Sequence, residues 1–229
     1  MSLSSSETVY CRSCGKEFEA TVYQSINDRI PNAAKKIMTG ELFQIICPHC
    51  GHEDHLEYNI LFNDFEHRAW IQVVYENELI EPYSRVLDIN GKYMTDMRMR
   101  IVRNINELRQ KVTAFVMNRD DRVVELCKFW CAISLPQHFP DFELLCDPIY
   151  TANLETGEEA IFLYGKKGEK QYVPLTDELL QSMCQLFEDY SKEKDRKRFI
   201  YNFAWAKEFT LNLAARQVIS HDELEQTTD

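Results

Sequence analysis

From Glu17 to Ser25 the chain reads EFEATVYQS, with apolar and polar residues alternating as on a strand that buries one face. Over Asn32–Met38 (NAAKKIM) the spacing changes to that of a short helix, which stops at Gly40. A strand from Leu42 to Cys47 follows, and two more are predicted near His55–Leu61 and Ala69–Tyr75. After Pro82 the texture shifts. Met94–Val102 (MTDMRMRIV) alternates Met and Arg, which favours a strand over a short helix. INELRQKVTAFVM is helical, with Asn104 as its N-cap and Glu107 at the reciprocal capping-box position. Asp120 or Asp121 starts a further helix, DRVVELCKFWCAISL, which ends before Pro136. It gathers Val123, Val124, Cys127, Trp130 and Cys131 on one core-facing side.

Strand patterns return from Phe142 to Val173, with turns at Glu155-Thr156-Gly157 and Lys166-Lys167-Gly168. Thr176 caps a helix that carries Leu179, Leu180, Met183, Leu186 and Phe187. A last helix, from about Asp195 to Val218, presents Phe199, Phe203, Ala206 and Leu213 on one side and Ile200, Trp205, Phe209 and Leu211 beyond it. So wide an apolar surface implies burial against the domain or against a second copy of the chain. Met1–Ser6 read as an appended polar leader without structural role, and Glu223–Asp229 as a frayed acidic tail.

Cysteine spacing adds chemistry to this outline. Cys11-Arg-Ser-Cys14-Gly15 and Cys47-Pro-His-Cys50-Gly51 are two copies of one device. Each Cys-x-x-Cys-Gly folds into a tight knuckle whose backbone N–H groups face the thiolates, and its Gly takes a conformation that side chains disfavour. Two knuckles supply four sulfurs, so Cys11, Cys14, Cys47 and Cys50 are the expected ligands of one zinc ion. Four thiolates close the tetrahedron, leaving no position at which the metal activates water. A catalytic alternative needs His52 or His55 to replace a cysteine, or a second site built with His49 and Glu53. It is disfavoured, because four cysteines are already present and His49 lies inside the knuckle, pointing away from the metal. Cys127, Cys131, Cys146 and Cys184 are expected as buried free thiols, the first two packed beside Trp130.

Charge narrows the partners. The chain of 229 residues carries a net charge of -11. Its first 84 residues hold six basic against thirteen acidic side chains. Sequence-independent nucleic-acid binding runs on Lys and Arg displacing counterions, so nucleic acid is a disfavoured partner. The basic exception, Lys192–Arg198, reads as a solvated face. No apolar run reaches the ~18 residues of a membrane span, and the expected location is the cytoplasm.

The stretches CRSCG, INDRIPNAAKKIMTGELFQIICPHCG and DDRVVELCK, in that order, resemble the CpXC protein family, named for the Cys-Pro-x-Cys that stands here as Cys47–Cys50. The resemblance covers residues 7 to about 190, most strongly in the first half. It implies a four-cysteine zinc site at Cys11, Cys14, Cys47 and Cys50, and no established activity. Where such proteins carry Gly-Glu-Leu-Asn, this chain has Phe43.

The expected fold is α+β. Residues 7–84 form a zinc-ribbon-like antiparallel β-sheet unit with a helical insertion, and residues 85–229 form a mixed helix and strand part, with or without packing into one continuous domain. The favoured function is a non-enzymatic, zinc-stabilised interaction or regulatory protein, with a protein partner or self-association through the C-terminal apolar helix. A nucleic-acid-binding zinc ribbon is the alternative. A hydrolase using Asp120, Asp121, Arg122 and Glu125 is less favoured: adjacent acids at a helix start serve as cap and dipole partner, and Arg122 and Glu125 sit at pairing distance.

Overall fold

The computed structural model describes residues 2–191 and 198–226, with side chains described as far as residue 215. The chain is α+β and divides into two compact units, Met1–Asn118 and Arg119–Asp229.

The first unit contains strands β1 (Leu3–Tyr10), β2 (Glu17–Asn27), β3 (Gln44–Ile46), β4 (Glu53–His55), β5 (Leu61–Asp64), β6 (Ala69–Val73) and β7 (Arg98–Val102). Its helices are α1 (Ala33–Thr39), α2 (Ile80–Gly91) and α3 (Ile105–Val116). Five strands form one sheet in the order β1-β2-β5-β6-β7. This sheet is mixed, which corrects the expected antiparallel one: β2 runs parallel to β5 and β6 parallel to β7, while β1/β2 and β5/β6 are antiparallel. The reason is connectivity. The link from β2 to β5 passes through α1 and the β3/β4 hairpin, and that from β6 to β7 through α2, long enough crossovers to bring each strand back in the same direction.

Pairing along β2 is uneven. Eight register pairs bind it to β1, whereas only Ser25, Ile26 and Asn27 pair with β5. Most of β1/β2 is therefore a two-stranded ribbon extending from the sheet. No residue of β1 is buried, and Ala20 alone is buried in β2 before Ile26. The sheet body is different: Ile60, Phe62, Ile71, Val73, Ile101 and Leu108 are all at most 1% exposed. Helix α3 packs on β6, β7 and α1. Arg109 of α3 donates through Nε to the carbonyl of Met38 at 2.9 Å, fastening the helical insertion to this body. Gly40 ends α1 at φ +83°, where a side chain is strained and where Arg109 and His55 close in from two sides.

Several local readings hold. Asn104 caps α3 by accepting from the Glu107 amide at 2.8 Å, although the Glu107 carboxylate reaches back to the amide of Arg103, one residue before the cap. Others change. Leu3–Ser6 belong to β1 and are not a structureless leader, and α2 occupies a stretch for which the hydrophobic pattern gave no element. The textural change after Pro82 does not coincide with the division of the chain after Asn118, because β7 completes the first sheet.

The second unit has a three-stranded antiparallel sheet in the order β10-β9-β8, formed by β8 (Ile149–Ala152), β9 (Glu159–Tyr164) and β10 (Lys170–Pro174). Three helices accompany it: α4 (Asp121–His138), α5 (Asp177–Tyr190) and α6 (Phe203–Gln226). Helix α4 packs on the sheet, on α5 and on α6. It runs through Pro136 and ends at His138, three residues past the expected last residue, Leu135. Phe142–Asp147 do not extend β8; a single bridge joins Leu144 to Gly165. Trp205 and Phe209 meet Phe187 of α5 in edge-on or tilted contacts and Tyr201 meets Trp205 edge-on, with ring centroids 5.0 to 6.2 Å apart. Among the described side chains of α6, Trp205, Ala206, Phe209 and Leu213 are buried. Helix α6 continues to Gln226, into the stretch read as a frayed tail. Residues 192–197, including most of the basic run and the expected start of the last helix, lie outside the described residues.

The α4 face needs one correction. Cys127 and Cys131 are buried as expected, but Trp130 is 48% exposed and points outward. Cys146 and Cys184, expected to be buried, are exposed.

Candidate metal centre

Both knuckles are built by the same backbone bonds. In the first, the Cys11 amide donates to the Lys16 carbonyl at 3.0 Å and the Gly15 amide to the Cys11 carbonyl at 2.9 Å. In the second, the Cys47 amide donates to His52 and the Gly51 amide to Cys47, each at 2.9 Å. Gly15 and Gly51 have φ of +70° and +72°, so each knuckle turns on a residue in the left-handed region. The first forms the turn of the β1/β2 ribbon and the second the turn of the β3/β4 hairpin.

Folding brings the two turns together. The sulfurs of Cys11, Cys14, Cys47 and Cys50 all lie within 4.8 Å of one another, the one group of its kind found among the described residues. Cys11 Sγ is 3.6 Å from Cys50 Sγ, and Cys14 Sγ is 3.7 Å from Cys47 Sγ. Thiolates at ~2.3 Å from a tetrahedral ion stand ~3.8 Å apart, so these contacts match the edge of such a tetrahedron. A disulfide, at ~2.05 Å, is far shorter. The four residues therefore fit a closed tetrathiolate site.

Cys11 and Cys47 are buried, while Cys14 and Cys50 are exposed. The Cys14 amide donates to Cys11 Sγ at 3.4 Å and holds that thiol down, to about 6. At Cys50 the amide of His52 also lowers the thiol, but desolvation and the three neighbouring sulfurs outweigh it and raise it to about 11. Within the cluster Cys11 takes up negative charge readily and Cys50 resists it. A bound cation reverses that resistance, because it stabilises all four thiolates together.

The histidines stand apart from the sulfurs. His49 contacts the carbonyl of Glu17 through Nε2 at 3.2 Å, and His52 and His55 are exposed. Glu53 accepts a hydrogen bond from Gln44 Nε2 at 3.0 Å. Two contacts tie the hairpins without using a sulfur: His49 to Glu17, and Arg12 Nε to Asp54 Oδ2 at 3.2 Å. The Arg12–Asp54 pair has no spacing signal in the sequence, since the two meet only once the knuckles are apposed.

Of the residues considered for hydrolysis, Asp121 is buried at the start of α4, and the other three have partners there. Asp120 caps α4 by accepting from the Arg122 amide, and its carboxylate also binds Arg122 Nε at 2.9 Å. Arg122 lies over the Phe187 ring at 4.6 Å. Burial there works against its charge, yet Asp120 raises its pKa overall. Glu125 pairs with Lys128 at 2.8 Å, not with Arg122 as the i, i+3 spacing suggested. Tyr201 and Trp205, the aromatics that follow the basic run, are buried and offer no ring to a nucleic-acid base.

A model of the CpXC protein family matches residues 9–128, just over half of the chain, from the first knuckle into α4. No curated protein and no solved structure matches.

Proposed function

The chain belongs to the CpXC protein family, and from that membership and its four apposed cysteines we propose that it is a non-enzymatic, zinc-stabilised interaction or regulatory protein. Cys11, Cys14, Cys47 and Cys50 bind one zinc ion as a structural site of zinc-ribbon type. The observation that carries this reading is the tetrahedral edge length between sulfurs of opposite knuckles, 3.6 and 3.7 Å. Sulfur selects a soft or borderline ion, and among these zinc favours tetrahedral thiolate coordination without redox chemistry. With all four positions filled by protein, the ion holds the two hairpins together and takes no substrate.

The acidic chain and the buried aromatics of α6 weigh against nucleic acid as partner, and a protein partner is the fitting class. Among the side chains of α6 described, up to residue 215, Leu211 at 59% exposure stands outward as a contact point for self-association. A four-thiolate site requires reduced sulfurs, which supports the cytoplasm as its location. No described helix is long and apolar enough to cross a membrane.

Metal analysis of the purified protein tests the site. The expected content is one zinc per chain, falling well below one in Cys47→Ser and in Cys14→Ser. Undiminished zinc in both variants, with the fold intact, would overturn the ligand assignment.

A further inference from the structure

The knuckle arrangement places one exposed and one buried cysteine in each close pair: exposed Cys50 with buried Cys11, and exposed Cys14 with buried Cys47. Both pairs cross between hairpins. We propose that the cluster is also an oxidation site, at which hydrogen peroxide drives formation of the disulfides Cys11–Cys50 and Cys14–Cys47 and so replaces the metal by covalent staples. This inference rests on the metal-binding reading for its starting state.

The chemistry starts at the sulfurs that peroxide reaches. The thiolate of Cys14 or Cys50 attacks one peroxide oxygen; the O–O bond breaks, hydroxide leaves, and a sulfenic acid forms. The buried thiolate across the knuckle then attacks the oxidised sulfur, forming the S–S bond and expelling a second hydroxide. Each disulfide consumes one peroxide, whose two oxygens are reduced as two sulfurs are oxidised. Two such events convert four thiolates into two disulfides, and the zinc dication, left without thiolate donors, is released.

Apposition of the knuckles decides the pairing. Closing a 3.6 or 3.7 Å contact to ~2.05 Å is a shift that small side-chain rotations supply. In the loaded protein the metal and the Arg12–Asp54 and His49–Glu17 contacts hold the hairpins face to face, and the first cross-hairpin disulfide keeps them apposed as the ion leaves. Oxidation therefore exchanges one link between the hairpins for another, and reduction reverses it.

The test uses the full chain carrying Cys146→Ser and Cys184→Ser, which removes the two exposed thiols outside the cluster. Zinc-loaded and zinc-free samples are treated with hydrogen peroxide, zinc release is read with a chromogenic chelator, and disulfides are mapped by mass spectrometry. Trypsin cuts after Arg12 and separates Cys11 from Cys14, so cross-hairpin bonds join both fragments to the peptide that carries Cys47 and Cys50. The expected result is zinc release, a fall from six free thiols to two with the stated pairing in the zinc-loaded sample, less ordered pairing in the zinc-free one, and recovery of the thiols with dithiothreitol. In an added Cys50→Ser variant only Cys14–Cys47 forms. In the zinc-loaded sample, bonds within each knuckle, Cys11–Cys14 and Cys47–Cys50, or sulfinic acids without disulfides, overturn the proposal while leaving metal binding intact. A protein that takes up no zinc before peroxide defeats the metal reading alone, since its hairpins are then apposed without metal and the pairing mapped in it still decides the disulfides.

Discussion

Removing the metal should melt one part of the first unit and spare the rest. The eight residues of β1 include none that is buried. Ordering them costs on the order of 10 kcal/mol of backbone entropy, at ~1–2 kcal/mol per residue. Against this stand ladder hydrogen bonds worth about 1 kcal/mol net each and the burial of Ala20, which contributes on the order of 1 kcal/mol or less. The β3/β4 hairpin pairs only three residues on each side, a length that is marginal on its own. A structural zinc contributes ~10–16 kcal/mol in small domains, enough to decide the balance at this end. The strands β6 and β7 bury most of their residues and pack on α3, so they do not depend on it. Hydrogen exchange followed by mass spectrometry, with and without a strong chelator, measures this directly. Amides of residues 3–24 and 44–55 should lose protection on chelation, while those of 69–73, 98–102 and 105–116 keep it. Full protection of the ribbon without metal would refute the reasoning, as would collapse of the whole unit.

In the second unit, Glu159 is buried and bound by Arg119, with Nε and Nη2 both donating to its carboxylate, and by the hydroxyl of Tyr150. Arg119→Ala leaves that carboxylate without its counter-charge and should cost about 3–5 kcal/mol in denaturant unfolding; a loss under ~1 kcal/mol would mean the pair behaves as an exposed one. Alkaline titration gives another test. Burial raises Tyr75 to about 12, and burial with the Glu159 contact raises Tyr150 further. A phenol held neutral in the folded state stabilises it below the unfolded value of ~10 and loses that contribution as pH climbs through the folded value. Unfolding free energy should thus fall from about pH 10 upward, and less steeply in Tyr150→Phe; equal slopes would contradict the burial argument.

The four-cysteine cluster was legible because its signal is local: each knuckle needs four residues and a Gly, and both are written out in full. The sheet order was not, because parallel pairing of β2 with β5 and of β6 with β7 joins segments that periodicity treats separately. Helix α2 escaped notice since Leu87 is its one buried residue, while Val86 and Ile89 face outward and blur the apolar stripe. Its pairs Glu81–Arg85 and Asp88–Lys92, at i, i+4, were the available signal. Strand β1 is rich in serine and owes its form to pairing with β2, which composition does not show. On α4, helical spacing put Trp130 with Cys127 and Cys131, yet its ring falls just beyond the buried arc.

Strand β2 belongs to two structures at once, with its first part in the ribbon and its last three residues in the sheet body. Side chains on a strand alternate sides, so the strand counts in twos. Loss or gain of one residue between Glu17 and Ser25 would leave Ile26 in the core and turn the first knuckle away from the second. A change of two would restore the facing but move the knuckle by ~7 Å along the strand. The length of this segment is therefore a constraint as binding as the cysteines themselves. Members of the family that vary it should do so by even numbers, with a matching change in the β3/β4 hairpin.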